Sequence, residues 1–226
     1  MIDTFSHETI QPVQQEPLDS SFANRVVEDL VLKGYTVQPN SLPPSLLAAL
    51  QMQVLSLSAD EFARAGIGRA RNYHQNQFVR SDDVCWMTGE SAEGSAWLSW
   101  CEALRLELNR QLFLGLFSFE SHYAWYRAGA YYKRHYDAFR GEANRVLSLV
   151  TYLNSDWARD DGGELILYES DTDREGLCIT PLAGTTVLFL SERFPHEVLP
   201  ARRDRYSIAG WFRVNASNGG IIDPPR

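Results

Sequence analysis

The sequence is poor in cysteine. Its three cysteines, Cys85, Cys101 and Cys178, lie far apart in the chain, and no two of them form a Cys-x-x-Cys pair. Disulfide frameworks and structural zinc sites both need several cysteines at characteristic spacings. The pattern therefore argues against both, and we expect the three thiols to be reduced and mainly structural.

Positive charge and long apolar runs are scarce as well. The formal net charge is -8 and the isoelectric point is near 5.1, whereas a nucleic-acid surface needs clustered positive charge. No apolar run approaches the roughly 18 residues that cross a bilayer, and the opening "MIDTFSHETI" lacks the basic and apolar regions of a signal peptide. We expect an acidic, cytoplasmic monomer that binds neither nucleic acid nor membranes.

The composition provides enough apolar surface for a substantial core. The 226 residues are 44% hydrophobic and 12% aromatic, which fits one globular domain with an extension. Residues 1–19 are polar without a period and are predicted to form a flexible tail. A helix capped by Ser20 or Ser21 should follow and end at Gly34, then a short strand, "YTVQ", and a second helix within "SLPPSLLAALQMQVLSL".

The stretch from residue 59 to residue 93 has no clear period. It mixes glycine, arginine and aromatic residues, and an irregular segment of this length in a compact domain is usually functional. The segment "SAWLSWCEALRLELNRQLF" comes next and predicts a third helix, because its large apolar residues recur every three to four positions. We interpret residues 20–115 as a helical support region in which 59–93 closes over a substrate.

From residue 117 the apolar period changes to two. Seven short runs rich in aromatic and β-branched residues alternate with turn sequences; the runs are "FESHYAWYR", "YYKRHYD", "RVLSLVTYLN", "GELILYE", "GLCITP", "TTVLFLS" and "RYSIAGWFRV". Closely spaced strands without intervening helices predict an antiparallel sandwich or barrel such as a jelly roll, packed against the earlier helices. The expected fold is thus α+β and mainly β, with a core over 116–215 and a tail over 216–226.

The segment "RHYDAF" contains the first candidate for chemistry. His135 and Asp137 are two residues apart, so on a strand their side chains leave the same face. His196, in "SERFPHEVLP" at the end of the strand "TTVLFLS", is a candidate third ligand. Two imidazoles and one carboxylate with open positions are typical of non-heme Fe(II) oxygenases, whereas structural zinc more often has a fourth Cys or His ligand.

Arg205 is the second candidate. It follows His196 by nine residues and opens the strand "RYSIAGWFRV". A guanidinium inside a barrel needs a partner, and its fork suits a carboxylate. A dicarboxylic cosubstrate would provide that carboxylate, and 2-oxoglutarate fits because its 2-oxo acid end can chelate iron.

Four longer segments carry a family resemblance: "FVRSDDVCWMTGE", "YYKRHYD", "RVLSLVTYLNSDWARDDGGELILYE" and "FPHEVLPARRDRYSIAGWFR". With these motifs, spread over roughly residues 78–214, the chain resembles the Fe(II)- and 2-oxoglutarate-dependent oxygenases. Within them it is most similar to the prolyl 4-hydroxylase branch, which includes the hypoxia-inducible-factor prolyl hydroxylases and their bacterial relatives. The resemblance implies a double-stranded β-helix, the cupin-like form of the jelly roll.

The resemblance also implies roles for individual residues. The iron ligands would be His135, Asp137 and His196, and Arg205 would pair with the distal carboxylate of 2-oxoglutarate. The implied cosubstrate and active-site contacts are Tyr152, Tyr126, Tyr132 and Trp211, and the implied substrate-binding residues are Arg145, Arg80, Asp82 and Trp86, the last three in the closing loop. Aromatic residues on barrel strands are often simple core, so for Tyr152, Tyr132 and Trp211 packing is the alternative.

The implied activity is hydroxylation of a prolyl residue in a protein at C4, with Fe(II) as metal, 2-oxoglutarate and O2 as cosubstrates and ascorbate as reductant. Bacterial relatives act on elongation factor Tu, which makes this factor the leading substrate hypothesis. One alternative is hydroxylation of a small amino-acid-like metabolite by the same fold. Another is an inactive metal-binding module that recognises a protein through residues 59–93.

Overall fold

The computed structural model describes residues 17–64, 79–138 and 144–215. It contains three α-helices, α1 (Ser20–Leu32), α2 (Pro44–Ser56) and α3 (Ala92–Leu112), where the apolar period of the sequence predicts them. Asp19, and not Ser20 or Ser21, is the cap of α1, because its carboxylate accepts a hydrogen bond from the Ser21 amide at 2.9 Å. The predicted tail at 216–226 and most of the one at 1–19 lie outside the described residues.

Eleven strands in the described part form two antiparallel sheets. The seven-stranded sheet has the order β1-β9-β6-β11-β4-β3-β2, and the four-stranded sheet has the order β5-β10-β7-β8. The strands are β1 (Tyr35–Gln38), β2 (Ala63–Arg64), β3 (Asp83–Trp86), β4 (Ser118–Tyr126), β5 (Tyr132–His135), β6 (Arg145–Tyr152), β7 (Leu165–Leu167), β8 (Leu177–Ile179), β9 (Thr186–Leu190), β10 (His196–Val198) and β11 (Arg205–Arg213). This is the predicted α+β jelly roll.

The alternation of side chains along the strands separates two apolar cores. On β6, Leu147 and Leu149 belong to a cluster shared with the three helices, whereas Tyr152 belongs to a second cluster shared with residues of β7, β8 and β10. The same alternation holds on β9, where Leu188 faces the helices and Phe189 faces the smaller sheet. The large sheet is therefore covered by helices on one face and by the four-stranded sheet on the other.

The helical layer packs tightly against the large sheet. Trp97 and Trp100 of α3 stack with ring centroids 5.5 Å apart, and Phe22 of α1 lies 5.6 Å from Trp100. The indole nitrogen of Trp97, which is fully buried, donates a hydrogen bond to Ser121 of β4 at 3.0 Å. This layer supports the sheet from behind and leaves the space between the two sheets for the site.

Three short strands were missed at the sequence level. The segment 59–93 is not wholly irregular, because β2 pairs with β3, β3 pairs with β4, and a 3-10 turn covers Ala59–Glu61; residues 65–78 lie outside the described part. His196 does not end the preceding strand but begins a separate one, β10, between β5 and β7. That strand has only three residues and lies between Pro195 and Pro200, which are typical of a connection and not of a strand.

The prediction that Asp137 lies on a strand was also wrong. The strand predicted for "YYKRHYD" stops at His135, so Asp137 lies in the bend after β5 and not on the strand. The carboxylate still reaches the imidazoles because the chain turns there. No helix in the described ranges is both long and apolar enough to cross a bilayer.

Candidate active site

A cluster of three potential metal ligands lies on the smaller sheet. His196 on β10 is the register partner of His135 on β5, so the two imidazoles come from directly opposite positions. Asp137 follows β5, and its Oδ1 and Oδ2 lie 3.7 Å from His135 Nε2 and 3.6 Å from His196 Nε2. One ligand atom from each residue lies within 4.8 Å of the others. Strand pairing thus places next to each other residues that are 61 positions apart.

Hydrogen bonds orient both imidazoles toward the middle of the cluster. The Nδ1 atom of His135 lies 2.8 Å from the carbonyl oxygen of Lys133, and that of His196 lies 3.2 Å from the carbonyl oxygen of Phe194. Since a carbonyl only accepts, the proton of each ring is on Nδ1 and the lone pair on Nε2. This tautomer is the one that allows Nε2 to bind a metal.

The charge states also suit a cation. Burial lowers the pKa of His196 to about 4, with a further lowering from His135, so the ring is neutral at pH 7. Burial by itself would raise the pKa of Asp137, but the imidazoles of His196 and His135 outweigh it and hold that pKa well below its usual value. Two imidazoles and one carboxylate are the donor set of a 2-His-1-carboxylate metal site.

Arg205 is buried between the sheets, with 1% of its surface exposed. Its Nε donates to the carbonyl oxygen of Gly163 at 2.8 Å, and an Nη atom donates to Ser207 at 3.2 Å. Gly163 has a positive φ of 71°, and a Cβ there would lie 3.1 Å from the Arg205 side chain, so glycine is needed for this approach. No carboxylate among the described residues forms an ion pair with Arg205.

Two tyrosine rings enclose the guanidinium. The Cζ atom of Arg205 lies 4.9 Å from the ring centre of Tyr126 and 5.2 Å from that of Tyr152. The buried hydroxyl of Tyr152 makes no hydrogen bond within the described part of the chain. Burial raises the pKa of Tyr152 to about 12 although Arg205 works in the opposite direction, so the hydroxyl remains a proton donor.

The residues present therefore fit a metal together with a diacid. The His-Asp-His cluster offers three ligand atoms. Arg205, which has no carboxylate partner among the described residues, and the Tyr152 hydroxyl, which has no partner there, offer donors for a carboxylate. The two parts are in contact through one apolar cluster, because Phe189 packs 4.8 Å from the His196 ring and shares that cluster with Tyr126 and Tyr152. A buried charge without a partner is costly, which favours a bound anion.

The residues predicted for the closing loop contact the metal cluster indirectly. Arg80 forms a bidentate ion pair with Asp82 at 2.8 and 2.6 Å, and its guanidinium lies 4.4 Å from the ring centre of Tyr132. Tyr132 in turn stacks on His135 with centroids 3.5 Å apart. Asp82 is 1% exposed. Both charged side chains are therefore engaged within the fold, and a role toward substrate remains a prediction for them.

The other predicted contacts, Arg145, Trp211 and Trp86, lie close together on the large sheet. Arg145 packs over the ring of Trp211 at 3.6 Å and forms an ion pair with Glu120 at 3.0 Å. Trp86 is 54% exposed and lies 6.5 Å from Trp211. The buried Nε1 of Trp211 has no hydrogen-bond acceptor within the described residues. The structure thus groups these side chains, and a role toward cosubstrate or substrate remains a prediction for them.

Sequence reasoning missed two serines. Ser148 on β6 donates a hydrogen bond to Oδ2 of Asp137 at 2.6 Å, and Ser191 lies 2.9 Å from the Ser148 hydroxyl. A serine gives no apolar period and no charge signal. The alternation on β6 could have indicated that position 148 faces the site, since it has the same parity as Tyr152.

A jelly roll with this cluster and a buried arginine defines a class, the metal-dependent oxygenases with a 2-His-1-carboxylate site. Comparison with known proteins agrees. Residues 121–213, which include all three potential ligands and Arg205, match the family model for the 2OG-Fe(II) oxygenase superfamily.

Two similar solved structures extend over most of the chain. A Pseudomonas putida prolyl-4-hydroxylase is 38% identical with a TM-score of 0.75, over 86% of this chain and 100% of that one. A Trichoplax adhaerens prolyl hydroxylase, in complex with a peptide fragment of the hypoxia inducible factor oxygen degradation domain, is 30% identical with a TM-score of 0.76, over 85% and 89% of the two chains. The chain belongs to the 2OG-Fe(II) oxygenase superfamily, whose members use Fe(II), 2-oxoglutarate and O2.

Curated relatives match over shorter segments. A hypoxia-inducible factor prolyl hydroxylase of Caenorhabditis elegans is 39% identical over 70 residues, and the rat Egl nine homolog 1 is 33% identical over 85 residues. These segments are 30% and 37% of this chain but only 10% and 25% of the two relatives. The similarity to the curated proteins is thus limited to a minor part of their length.

Proposed function

We propose that this protein is a prolyl 4-hydroxylase that acts on a prolyl residue in a protein, using Fe(II) and 2-oxoglutarate. The observation that carries the proposal is the juxtaposition of the His-Asp-His cluster with a buried arginine that lacks a carboxylate partner among the described residues. The similar structures support the prolyl substrate, because two that resemble this chain over most of its length, at 38% and 30% identity, are prolyl hydroxylases.

The residues of this chain would position reactants and control charge. His135, Asp137 and His196 would hold Fe(II), and Arg205 with the Tyr152 hydroxyl would bind the distal carboxylate of 2-oxoglutarate. When bound, Fe(II) supplies the oxidation: with O2, 2-oxoglutarate becomes succinate and CO2, and the second oxygen atom is inserted into a substrate C–H bond. The aromatic residues around Arg205 exclude water, which strengthens its interaction with an anion.

The group formed by Trp86, Trp211 and Arg145 supports a protein substrate. Trp86 presents an exposed indole next to Trp211 and Arg145, and such aromatic and arginine side chains are common anchors for peptides. The Trichoplax relative was solved with a peptide bound. By the resemblance to bacterial relatives, elongation factor Tu is our candidate substrate, which requires both proteins to share the cytoplasm.

The test is direct hydroxylation. The full chain is incubated with Fe(II), ascorbate, 2-oxoglutarate and elongation factor Tu, and tryptic peptides are searched for a proline heavier by one oxygen atom. We expect one modified prolyl residue and an equimolar amount of succinate. The matched controls are Asp137→Ala, which should abolish both products, and Asp60→Ala at an exposed position far from the cluster in sequence, which should leave both unchanged.

The two readouts separate the levels of the proposal. Succinate formation without a modified proline would reject elongation factor Tu, and a screen of small amino-acid-like metabolites would then test the alternative substrate class. Absence of succinate with every candidate, in a protein that is folded and binds metal, would reject the oxygenase activity and favour an inactive binding module.

A further inference from the structure

Two buried serine hydroxyls form a chain that ends on the metal cluster. Ser148 is 1% exposed and Ser191 is fully buried. The Ser148 hydroxyl lies 2.6 Å from Oδ2 of Asp137, and the Ser191 hydroxyl lies 2.9 Å from that of Ser148. The first of these distances is typical of a strong hydrogen bond to a charged acceptor.

The direction of both hydrogen bonds follows from the number of protons. A carboxylate oxygen accepts, and the Ser148 hydroxyl donates to Oδ2 of Asp137 at 2.6 Å. A serine hydroxyl has one proton, so Ser148 must accept from Ser191. The chain therefore runs from Ser191 to Ser148 to Asp137, and each bond strengthens the next.

Packing alone does not explain these hydroxyls. The register partner of Ser148 on β9 is the apolar, fully buried Phe189, and an apolar residue at 148 would avoid the cost of burying a hydroxyl. A polar group at this position is useful only if its partner needs it. The partner is Asp137, which no strand holds because it lies in the bend after β5.

We propose that Ser148, supported by Ser191, is a positioning residue that sets the rotation of the Asp137 carboxylate and so determines how tightly the cluster binds a divalent cation. The inference rests on the proposed function, since it assumes that the cluster binds metal. The hydrogen bond holds Oδ2, which leaves Oδ1 on the side of His135, 3.7 Å from Nε2. Loss of such a partner of a metal ligand typically weakens metal affinity by about 10- to 100-fold.

The test measures metal binding without turnover. Metal-free full-length protein is titrated with Mn²⁺, and free Mn²⁺ is followed by electron paramagnetic resonance. Ser148→Ala should weaken binding by about 10- to 100-fold and Ser191→Ala by less, since the direct bond remains. Ser148→Thr and Ser148→Val form a second pair of equal shape, of which only the threonine keeps the hydroxyl and should retain the affinity.

Thr151→Val is the matched control. Thr151 lies on the same strand as Ser148, and its hydroxyl is 2.7 Å from that of Thr186 on β9, in a fully buried pair. Position 151 has the parity of Leu147 and Leu149 and so faces the helices. The control also removes a buried hydroxyl from β6, and it should bind Mn²⁺ like the wild type.

The outcomes are distinguishable. Equal Mn²⁺ affinity of the wild type and folded Ser148→Ala would overturn this inference and leave the proposed function intact. If the alanine variant does not fold, equal affinity of Ser148→Thr and Ser148→Val would do the same. Failure of the wild type to bind Mn²⁺ would overturn both. Weak binding in Ser148→Val with normal binding in Ser148→Thr and Thr151→Val would support the positioning role.

Discussion

The two faces of the large sheet have opposite characters although the same strands form both. On the helix side, buried polar atoms have partners: the Trp97 indole donates to Ser121, and the Tyr123 hydroxyl donates to Gln53 at 2.6 Å. On the side facing the smaller sheet, the Tyr152 hydroxyl and the Trp211 indole lack partners among the described residues. One face is organised for stability, and the other retains donors for a ligand.

Among the residues on the side that faces the smaller sheet, replacement of Arg205 should have the largest effect on catalysis. Arg205→Met removes the guanidinium that we assign to the distal carboxylate, so KM for 2-oxoglutarate should rise by about 100-fold, or about 3 kcal/mol. Steady-state kinetics would measure the change. In a thermal shift experiment with Mn²⁺, 2-oxoglutarate should stabilise the wild type and not the variant.

The control for this experiment is Arg203→Met. Arg203 precedes Arg205 by two residues, but it is partly exposed and lies over the ring of Trp157 at 4.4 Å. Its loss should leave KM unchanged. An equal rise in both variants would mean that Arg205 acts through the fold and not through the cosubstrate.

His122, on the side that faces the smaller sheet, should make the free energy of unfolding depend on pH. Burial lowers the pKa of His122 to about 4, with a smaller contribution from Arg80. The unfolded chain binds this proton near pH 6.5 and the folded chain does not, so the free energy of unfolding falls as the pH drops from about 6.5 to 4. The expected contribution is about 3 kcal/mol across that window, measured by urea denaturation at several pH values.

His122→Gln isolates the contribution of this residue. The variant cannot take up the proton, so its free energy of unfolding should depend less on pH than that of the wild type between 6.5 and 4, with the remaining dependence coming from other groups such as His196. If the free energy of unfolding depends on pH equally in the two proteins, folding does not lower the pKa of His122.

A substitution on the side of the large sheet that faces the helices should have the smallest effect on turnover. Leu149→Ala leaves a cavity in the fully buried helix-side cluster and should reduce the free energy of unfolding by about 2 to 5 kcal/mol. Turnover per folded molecule should be unchanged well below the melting temperature. A loss of turnover comparable to that of Arg205→Met would show that the two faces are not independent.

The periodic parts of the fold could be predicted from the sequence. The three helices and eight of the strands have apolar patterns that local sterics and burial impose on any strand or helix of their length. The strands β2, β3 and β10 were not predicted, because β2 and β3 lie in the segment 59–93 without a clear period and β10 lies between two prolines. The partners of β3 and β10 are also distant in the chain.

The site also has residues that the sequence could predict and contacts that only the structure shows. Residue chemistry and motif spacing were enough to single out His135, Asp137, His196 and Arg205, since few side chains can bind a metal or pair with a buried carboxylate. The contribution of Ser148 could not be foreseen, because a serine has no distinctive chemistry until folding places it 2.6 Å from Asp137. Folding was likewise needed to show that Arg80 and Asp82 bind each other. Such contacts depend on where folding places individual side chains, which no apolar period encodes.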